Sequence, residues 1–256
     1  MKKKLIIVLI TLMLLPVVAS ADIFTFRYGY FVPRTSGGED SLWKIEFDNM
    51  TLKKSDYQTG MLGLAYELFL NRQFSLVFSV DFYSRDKAGF YEDWSLYTID
   101  DIDFALPVEY YPYGDMIIHS FSVSQTPLQV SLKVTPLGRQ VRFVPYFGGG
   151  LGVYFWSVKL SGDMIDFSDP YSLEDEQLGG EVTIYPVYYT YASESKRISI
   201  GSSVFAGVMV PLGRQVTLDL NFRYQFLKPE FQDAFEGFES FDLSGYTLVA
   251  GINYWF

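Results

Sequence analysis

Apolar and polar side chains alternate with a period of two in many segments of this chain. In the segment VTLDLNFRYQF, at 216–226, every apolar side chain falls on one face and every polar side chain on the other. Because successive side chains of a strand point to opposite faces, this pattern predicts a β-strand with one apolar face. Soluble sandwiches contain such strands too, so one segment does not decide the architecture.

The same alternation recurs along the chain, in segments long enough to cross a bilayer as tilted strands of about 9–11 residues. The connections between them alternate between short turns and long loops, a layout typical of transmembrane β-barrels. The sequence therefore predicts an all-β fold, an eight-stranded antiparallel transmembrane up-and-down β-barrel. Ten strands is the alternative if loop 2 or loop 3 adds a hairpin. The predicted strands are 22–33, 57–70, 74–83, 121–134, 141–156, 198–210, 216–226 and 241–256, and loops 1 to 4 are 34–56, 84–120, 157–197 and 228–240.

The hexapeptide PLGRQV occurs twice, at 136–141 and 211–216, each time between two predicted strands. Proline suits the second position of a type I turn, and glycine accepts a left-handed conformation, so both copies are predicted to be turns. The spacing of outward side chains differs by one residue between the two copies. This difference predicts a β-bulge at one of the two turns.

The first 21 residues have the layout of a secretory signal peptide. Three lysines precede a short apolar run, and a small-residue cleavage site ends at Ala21. The apolar run is too short to be a spanning helix. We therefore expect residues 1–21 to be removed and residues 22–256 to form one barrel domain.

The charge balance excludes several functions. With 30 acidic and 20 basic residues, the net charge of −10 disfavours nucleic acid, whose phosphates it would repel. The absence of cysteine excludes disulfides and thiolate metal sites.

The acidic residues concentrate in the long loops, which are also rich in tyrosine and phenylalanine. These loops are predicted either to bind an extracellular partner or simply to form a solvated surface with an aromatic girdle.

Charged residues of both signs fall on the face opposite the apolar one. An eight-stranded barrel is just wide enough for side chains to fill its interior. The simplest prediction is therefore a salt-bridged plug, and the alternative is the selectivity lining of a narrow pore. The predicted lumen cluster consists of Arg27, Glu67, Asp81, Lys133, Arg142, Asp219 and Arg223.

His119 is the only histidine of the chain and the only candidate catalytic base. Its neighbour Ser120 would point to the opposite face of a strand, whereas a Ser–His pair needs hydrogen-bond contact. We therefore expect a rim or loop histidine, and we predict no catalytic, cofactor-binding or metal site. A lipid-modifying enzyme stays as a remote alternative.

The chain ends in the alternating segment YTLVAGINYWF, which resembles the C-terminal assembly signal of bacterial outer-membrane barrels. More broadly, FTFRYGYFVPR at 24–34 and VRFVPYFGGGLGVYFW at 141–156 resemble strands of the small outer-membrane barrels that include OmpX, OmpW and OmpA-like proteins. The resemblance implies location in the bacterial outer membrane with periplasmic termini, and recognition by the barrel assembly machinery. The residues of the predicted assembly signal are Leu248, Ala250, Ile252, Tyr254 and Phe256.

These patterns lead to one functional prediction and one main alternative. We expect a non-enzymatic integral outer-membrane barrel, surrounded by outer-membrane lipid, whose acidic aromatic loops stabilise the envelope or bind an extracellular protein. The alternative is a narrow pore or a transporter of small hydrophobic ligands, as OmpW-like relatives suggest.

Overall fold

The computed structural model describes residues 22–175 and 180–256. The predicted signal peptide, residues 1–21, lies outside the described residues. The fold is all-β and antiparallel, as predicted, with one short α-helix, α1 (Leu42–Asn49), and a 3₁₀ helix at Lys54–Tyr57. The strands are β1 (Ile23–Pro33), β2 (Thr59–Phe69), β3 (Phe74–Ile99), β4 (Ile102–Pro107), β5 (Asp115–Val134), β6 (Val144–Ile165), β7 (Tyr171–Asp175), β8 (Gly180–Pro211), β9 (Val216–Phe226) and β10 (Gly245–Trp255).

The strand pairings close into a ring. Starting from the N-terminus, β1 pairs with β2, β2 with β3, β3 with β5, and β5 with β6. From there β6 pairs with β8, β8 with β9, β9 with β10, and β10 pairs back with β1. Closure satisfies backbone hydrogen bonds on both sides of each strand, which open sheet edges cannot do.

Four strands of the ring continue far beyond the other four. β3 runs to Ile99, β5 begins at Asp115, β6 runs to Ile165 and β8 begins at Gly180, so much of predicted loops 2 and 3 is strand. The sequence prediction ended β3, β5 and β6 where acidic and aromatic residues interrupt the apolar face. A sheet that projects into water does not need a continuous apolar face, which explains the difference.

The projecting parts of these strands are joined by β4. On one side β4 pairs with β3, with Ser95 opposite Leu106, and on the other side with β8, with Ala105 opposite Tyr185. The extra strand β7 pairs with the beginning of β8. The projecting part therefore closes into a smaller ring of its own. Backbone hydrogen bonds between strands, rather than the packing of loops, determine its shape.

Side chains of the ring alternate between exposed and buried positions. Along β1, for example, Phe24, Phe26 and Tyr28 are exposed, whereas Thr25 and Arg27 are buried. The apolar outward face ends at a definite height, because the row Val80, Leu128 and Val153 is followed farther out by a row of serines. Those serines are Ser84, Ser124 and Ser157.

None of the helices in the described residues has the length and hydropathy needed to span a membrane.

Loops 1 and 4 fold into the projecting part. We call residues 34–58 and 227–244 the cap. Trp43 of α1 stacks on Phe241 with ring centroids 4.8 Å apart and meets Phe121 of β5 edge-on at 5.2 Å. Its Nε1 donates a hydrogen bond to the carbonyl of Asp242 at 3.0 Å. Apolar residues of the cap and of the strands thus form one buried core beyond the apolar band.

The two PLGRQV copies are turns, but they differ in geometry. In the first, the amide of Gly138 donates to the carbonyl of Thr135 at 2.9 Å, which puts Pro136 at the second turn position, and Gly138 has φ of 68°. In the second, the amides of Leu212 and Gly213 both donate to the carbonyl of Val216. The register shifts of the ladders lie at 90–95 and 156–158, away from both turns, so the predicted position of the bulge is wrong.

Candidate functional site

The interior of the ring holds a network of buried charges centred on Asp81. Arg27 of β1 donates two hydrogen bonds to Asp81, from Nε to Oδ1 at 2.7 Å and from Nη2 to Oδ2 at 2.6 Å. Arg223 of β9 donates from Nη1 to the same Oδ2 at 2.9 Å. Two cations therefore share one carboxylate, and the bidentate geometry fixes the planes of both groups.

A second buried group is centred on Glu67 of β2. Its Oε2 accepts from Lys133 Nζ at 2.8 Å, and its Oε1 accepts from the Ser75 hydroxyl at 2.5 Å. The guanidinium of Arg139 lies 3.7 Å from Oε1 and stacks over the ring of Phe69. Burial lowers the pKa of Arg139, and the neighbouring Glu67 carboxylate opposes that shift.

Arg142, predicted for the lumen cluster, lies outside it. The residue is exposed in the connection before β6, and its described ring contact is with Phe143. β6 begins at Val144 because the first PLGRQV turn is longer than the alternation suggests, so the turn places Arg139 near Glu67 instead. The sequence signal for a cation near Glu67 was Arg139, the arginine of the first PLGRQV copy.

Asp219, the remaining predicted member, is paired with a neutral group. The hydroxyl of Tyr146 donates a hydrogen bond to Asp219 Oδ1, and Asn221 Nδ2 donates to the same oxygen at 3.3 Å. Lys133 lies over the ring of Tyr146, 4.0 Å from its centroid, so this tyrosine connects the Asp219 and Glu67 groups. The structure thus places Arg27, Glu67, Asp81, Lys133, Asp219 and Arg223 among the buried residues of the interior.

Little space is left between these side chains. A cavity of about 30 Å³ is lined by Arg27, Glu67, Lys133 and Asp219, among others. A second cavity, of about 10 Å³, lies between Arg27, Asp81 and the residues above them. A water molecule needs about 10–15 Å³, so these cavities have room for a few water molecules at most and not for a hydrated ion.

His119 is a buried member of β5, so the prediction of a rim or loop histidine is wrong. Its Nε2 lies 2.7 Å from Oε2 of Glu46, a residue of α1 that is equally buried. Within the described residues, Nδ1 has no hydrogen-bond partner. The alternation of side chains did indicate a buried histidine, because His119 shares its face with Phe121 and Val123, which also point inward.

Tyr91 packs edge-on against the His119 ring, 5.5 Å between centroids. Burial and the nearby Glu46 carboxylate raise the pKa of Tyr91 to about 12. The described contacts of His119 thus come from a carboxylate and a phenol, and neither supplies the activated hydroxyl of a hydrolase.

Loop 4 is held to the wall by another buried carboxylate. Glu194 of β8 is fully buried and accepts hydrogen bonds from the amides of Gln232 at 3.2 Å and Asp233 at 3.0 Å. Arg197 lies 2.5 Å from Glu194 and also contacts the carboxylate of Asp233. Two of the attachments between the cap and the wall therefore use buried carboxylates, Glu46 of α1 against His119 of β5 and Glu194 of β8 against loop 4.

The outer surface presents aromatic residues beside an open strand edge. Pairing of β8 with β9 ends at Ser202, whereas β8 itself continues outward to Gly180. On this stretch Tyr189 and Tyr191 are 75% and 64% exposed.

No group of three or more potential metal ligands occurs within residues 22–175 and 180–256.

The face predicted as an assembly signal points outward on β10. Leu248, Ile252 and Tyr254 are exposed in the strand, and Phe256 follows it. Ala250 occupies the same face between them. The face is continuous with the outward residues of β1 and β9, to which β10 is paired.

Models of known protein families do not match the chain, and a search of curated proteins finds no match either. Solved structures do match. The major outer membrane protein of Thermus thermophilus is 12% identical with a TM-score of 0.46, and Neisserial surface protein A is 13% identical with a TM-score of 0.45. The attachment invasion locus protein of Yersinia pestis is 11% identical, also with a TM-score of 0.45. Each comparison covers 93% of this chain and 100% of the other.

These neighbours are outer-membrane β-barrel proteins. At such identities and TM-scores, the likeness carries no conclusion about the activity of this chain.

Proposed function

We propose that the chain is a non-enzymatic, integral barrel of the bacterial outer membrane, and that the eight strands of the closed ring each cross the membrane. The observation that carries this proposal is the polarity of the ring, which has apolar side chains outside and hydrogen-bonded charges inside. A water-soluble barrel requires the opposite arrangement, because its core must exclude water. A lipid environment explains why so many large apolar side chains face outward.

The orientation follows from the unequal ends of the ring. One end has the short connections 70–73, 135–143 and 212–215, and the other carries the projecting sheet and the cap. In outer-membrane barrels the short turns are periplasmic and the long connections extracellular. We therefore propose periplasmic termini, cleavage of residues 1–21, and recognition of the outward face of β10 by the barrel assembly machinery.

The projecting part is proposed to bind an extracellular protein or to stabilise the envelope. Two features support binding: the exposed Tyr189 and Tyr191, and the neighbouring unpaired edge of β8, to which an extended segment could add by hydrogen bonding. Because the outer connections are acidic, a partner with a basic surface fits best by charge. A rigid binding surface also loses little entropy on association.

Binding can be tested with a double substitution, Tyr189→Ser with Tyr191→Ser. The matched control is Tyr113→Ser, which removes the ring of a tyrosine that is 96% exposed in the connection between β4 and β5. The probe is an array of basic extracellular-matrix proteins offered to the barrel in detergent. We expect salt-dependent binding that the double variant loses and the control retains; equal binding by all three proteins would refute the assignment.

The alternative of a narrow pore or a transporter of small hydrophobic molecules is less well supported, because the interior cavities of about 30 and 10 Å³ are too small for a hydrated ion or a ligand. Single-channel recording in a planar bilayer tests it directly. We expect no discrete openings from the intact chain. Reproducible conductance steps would make transport the better assignment. A lipid-modifying enzyme has the weakest support, since within the described residues His119 hydrogen-bonds to the Glu46 carboxylate and not to a serine or threonine hydroxyl.

A further inference from the structure

The three short connections of the ring share the sequence L-x-R-Q. It occurs at 70–73 between β2 and β3, at 137–140 between β5 and β6, and at 212–215 between β8 and β9. A tight turn favours residues such as glycine or asparagine that accept its backbone angles, but it sets no requirement for leucine or arginine. Both recur although the two PLGRQV copies differ in their hydrogen bonds. The recurrence therefore indicates a shared property of the surface that these side chains form.

The three short connections lie side by side at one end of the ring. The amide of Thr135 donates a hydrogen bond to the carbonyl of Gln73 at 2.7 Å, which joins the first connection to the second. Val144, at the beginning of β6, pairs with Met209, near the end of β8, which brings the second connection beside the third. The connections therefore form one continuous surface.

This surface is basic. The three short connections together contain four arginines and no acidic residue, in a chain of net charge −10. Arg139 is engaged by the Glu67 carboxylate and by backbone carbonyls of the first connection. The other three arginines are exposed, and we call them the turn arginines: Arg72, Arg142 and Arg214.

The turn arginines have no acidic partner within the part of the chain that the structure describes. None of them takes part in an ion pair there, whereas two arginines of the interior are bound to Asp81. The acidic residues at this end of the ring, Asp22, Glu67 and Asp219, are buried and form hydrogen bonds with other side chains. The turn arginines are therefore available to an anion from outside the protein.

Exposed apolar side chains accompany the turn arginines. Leu70 and Leu212 are 53% and 61% exposed, and each lies two residues before a turn arginine. Phe143, which is also exposed, directly follows Arg142, whose guanidinium lies 5.8 Å from the centroid of its ring. A soluble anionic partner does not require exposed leucine and phenylalanine. A membrane interface combines an apolar layer with phosphate groups, so it matches both kinds of side chain.

The spacing places the guanidinium groups at the depth of the phosphates. Two residues of extended chain span about 7 Å at 3.3 Å per residue. The polar headgroup layer adds about 5–8 Å to each side of the hydrocarbon core. With Leu70 and Leu212 at the edge of that core, Arg72 and Arg214 reach into the headgroup layer.

We propose that the turn arginines bind the phosphate groups of anionic phospholipids in the inner leaflet of the outer membrane. A guanidinium can donate two parallel hydrogen bonds to a phosphate, which agrees with the presence of arginine and the absence of lysine in all three short connections. The acidic long connections at the other end would repel the same lipids. The inference rests on the proposed location and orientation in the outer membrane, and it gives the envelope-stabilising role a lipid partner.

The test uses the full chain in phosphatidylcholine nanodiscs that contain a small fraction of phosphatidylglycerol as the anionic probe. The glutamine variant carries Arg72→Gln and Arg214→Gln. A lysine variant, with Arg72→Lys and Arg214→Lys, keeps the charge. A cap variant, with Lys53→Gln and Lys54→Gln, removes the same charge from exposed positions at the other end.

Native mass spectrometry counts the phosphatidylglycerol molecules that each protein retains. At about 1 kcal/mol for each basic residue near an anionic surface, we expect retention to weaken roughly 10- to 30-fold in the glutamine variant. The lysine variant should keep most of the retention, and the cap variant should match the wild type. Heat-modifiable gel mobility establishes that each variant is folded.

Equal retention by the wild type and the glutamine variant would overturn the inference. An equal loss in the cap variant would do the same, because it would show an effect of net charge alone. If the glutamine variant lost binding to purified peptidoglycan while its lipid retention stayed unchanged, the turn arginines would belong to a cell-wall contact instead. A chain that fails to insert into nanodiscs contradicts the membrane assignment, whereas insertion without selective lipid retention contradicts only the phosphate site.

Discussion

At the scale of single residues, Asp81 is the buried carboxylate that binds two arginines, Arg27 and Arg223. Removing one partner of a buried ion pair leaves an uncompensated charge and costs about 3–5 kcal/mol. We expect Asp81→Asn to lower the free energy of unfolding by about that amount, measured by urea titration in detergent micelles. The control Asp93→Asn, an exposed position on the same strand, should stay within about 0.5 kcal/mol; equal stability of both variants would contradict the network.

Tyr91 provides a second residue-scale prediction. Its pKa is raised to about 12, mainly by burial. Because the folded value exceeds the unfolded value of about 10, this phenol stabilises the cap fully below pH 10, and the contribution is lost as pH rises toward 12. The difference in absorbance at 295 nm between wild type and Tyr91→Phe should therefore show a titration centred near pH 12. A midpoint near 10 would mean that the phenol is exposed to water.

At the scale of elements, α1 is attached to the wall through Glu46 and His119. A hydrogen bond to a charged group contributes about 1.5–3 kcal/mol. We expect Glu46→Gln to accelerate amide hydrogen exchange throughout α1, equivalent to a loss of about 1–2 kcal/mol. Asp48→Asn on the same helix removes an exposed contact with Lys44 and should change exchange little. Unchanged exchange in Glu46→Gln would show that apolar packing alone holds the cap.

The elements also show which features the sequence could predict. The faces of β1 and β9 follow from local alternation, since each residue's side is fixed by its neighbours in the strand. The Glu46–His119 contact joins residues 73 positions apart, and no local pattern links a loop helix to a strand. The same limit applies to β4, whose pairing with β8 depends on how two long connections fold together. Arg142 was predicted for the lumen cluster, but Arg139 lies near Glu67 instead, and this difference has another cause. The alternation of side chains shows which face a residue is on, but it does not show how long the turn before a strand is.

At the scale of the whole molecule, the proposed orientation makes the two ends of the ring distinguishable in living cells. The chain has no cysteine, so a single introduced thiol reports its own position. Tyr113 lies in the connection between β4 and β5, in the proposed extracellular part, and Gly213 lies in the β8–β9 turn at the other end. Tyr113 is 96% exposed, and a Cβ added at Gly213 would meet open space. Neither substitution therefore disturbs a buried contact.

We expect Tyr113→Cys to react with a membrane-impermeant maleimide on intact cells, and Gly213→Cys to react only after the outer membrane is permeabilised. Labelling of both positions in permeabilised cells is the control for folding and expression. The reverse pattern would place the projecting sheet and its cap in the periplasm. In that case the tyrosine surface of β8 could not meet an extracellular partner, so this one measurement also tests the proposed binding surface.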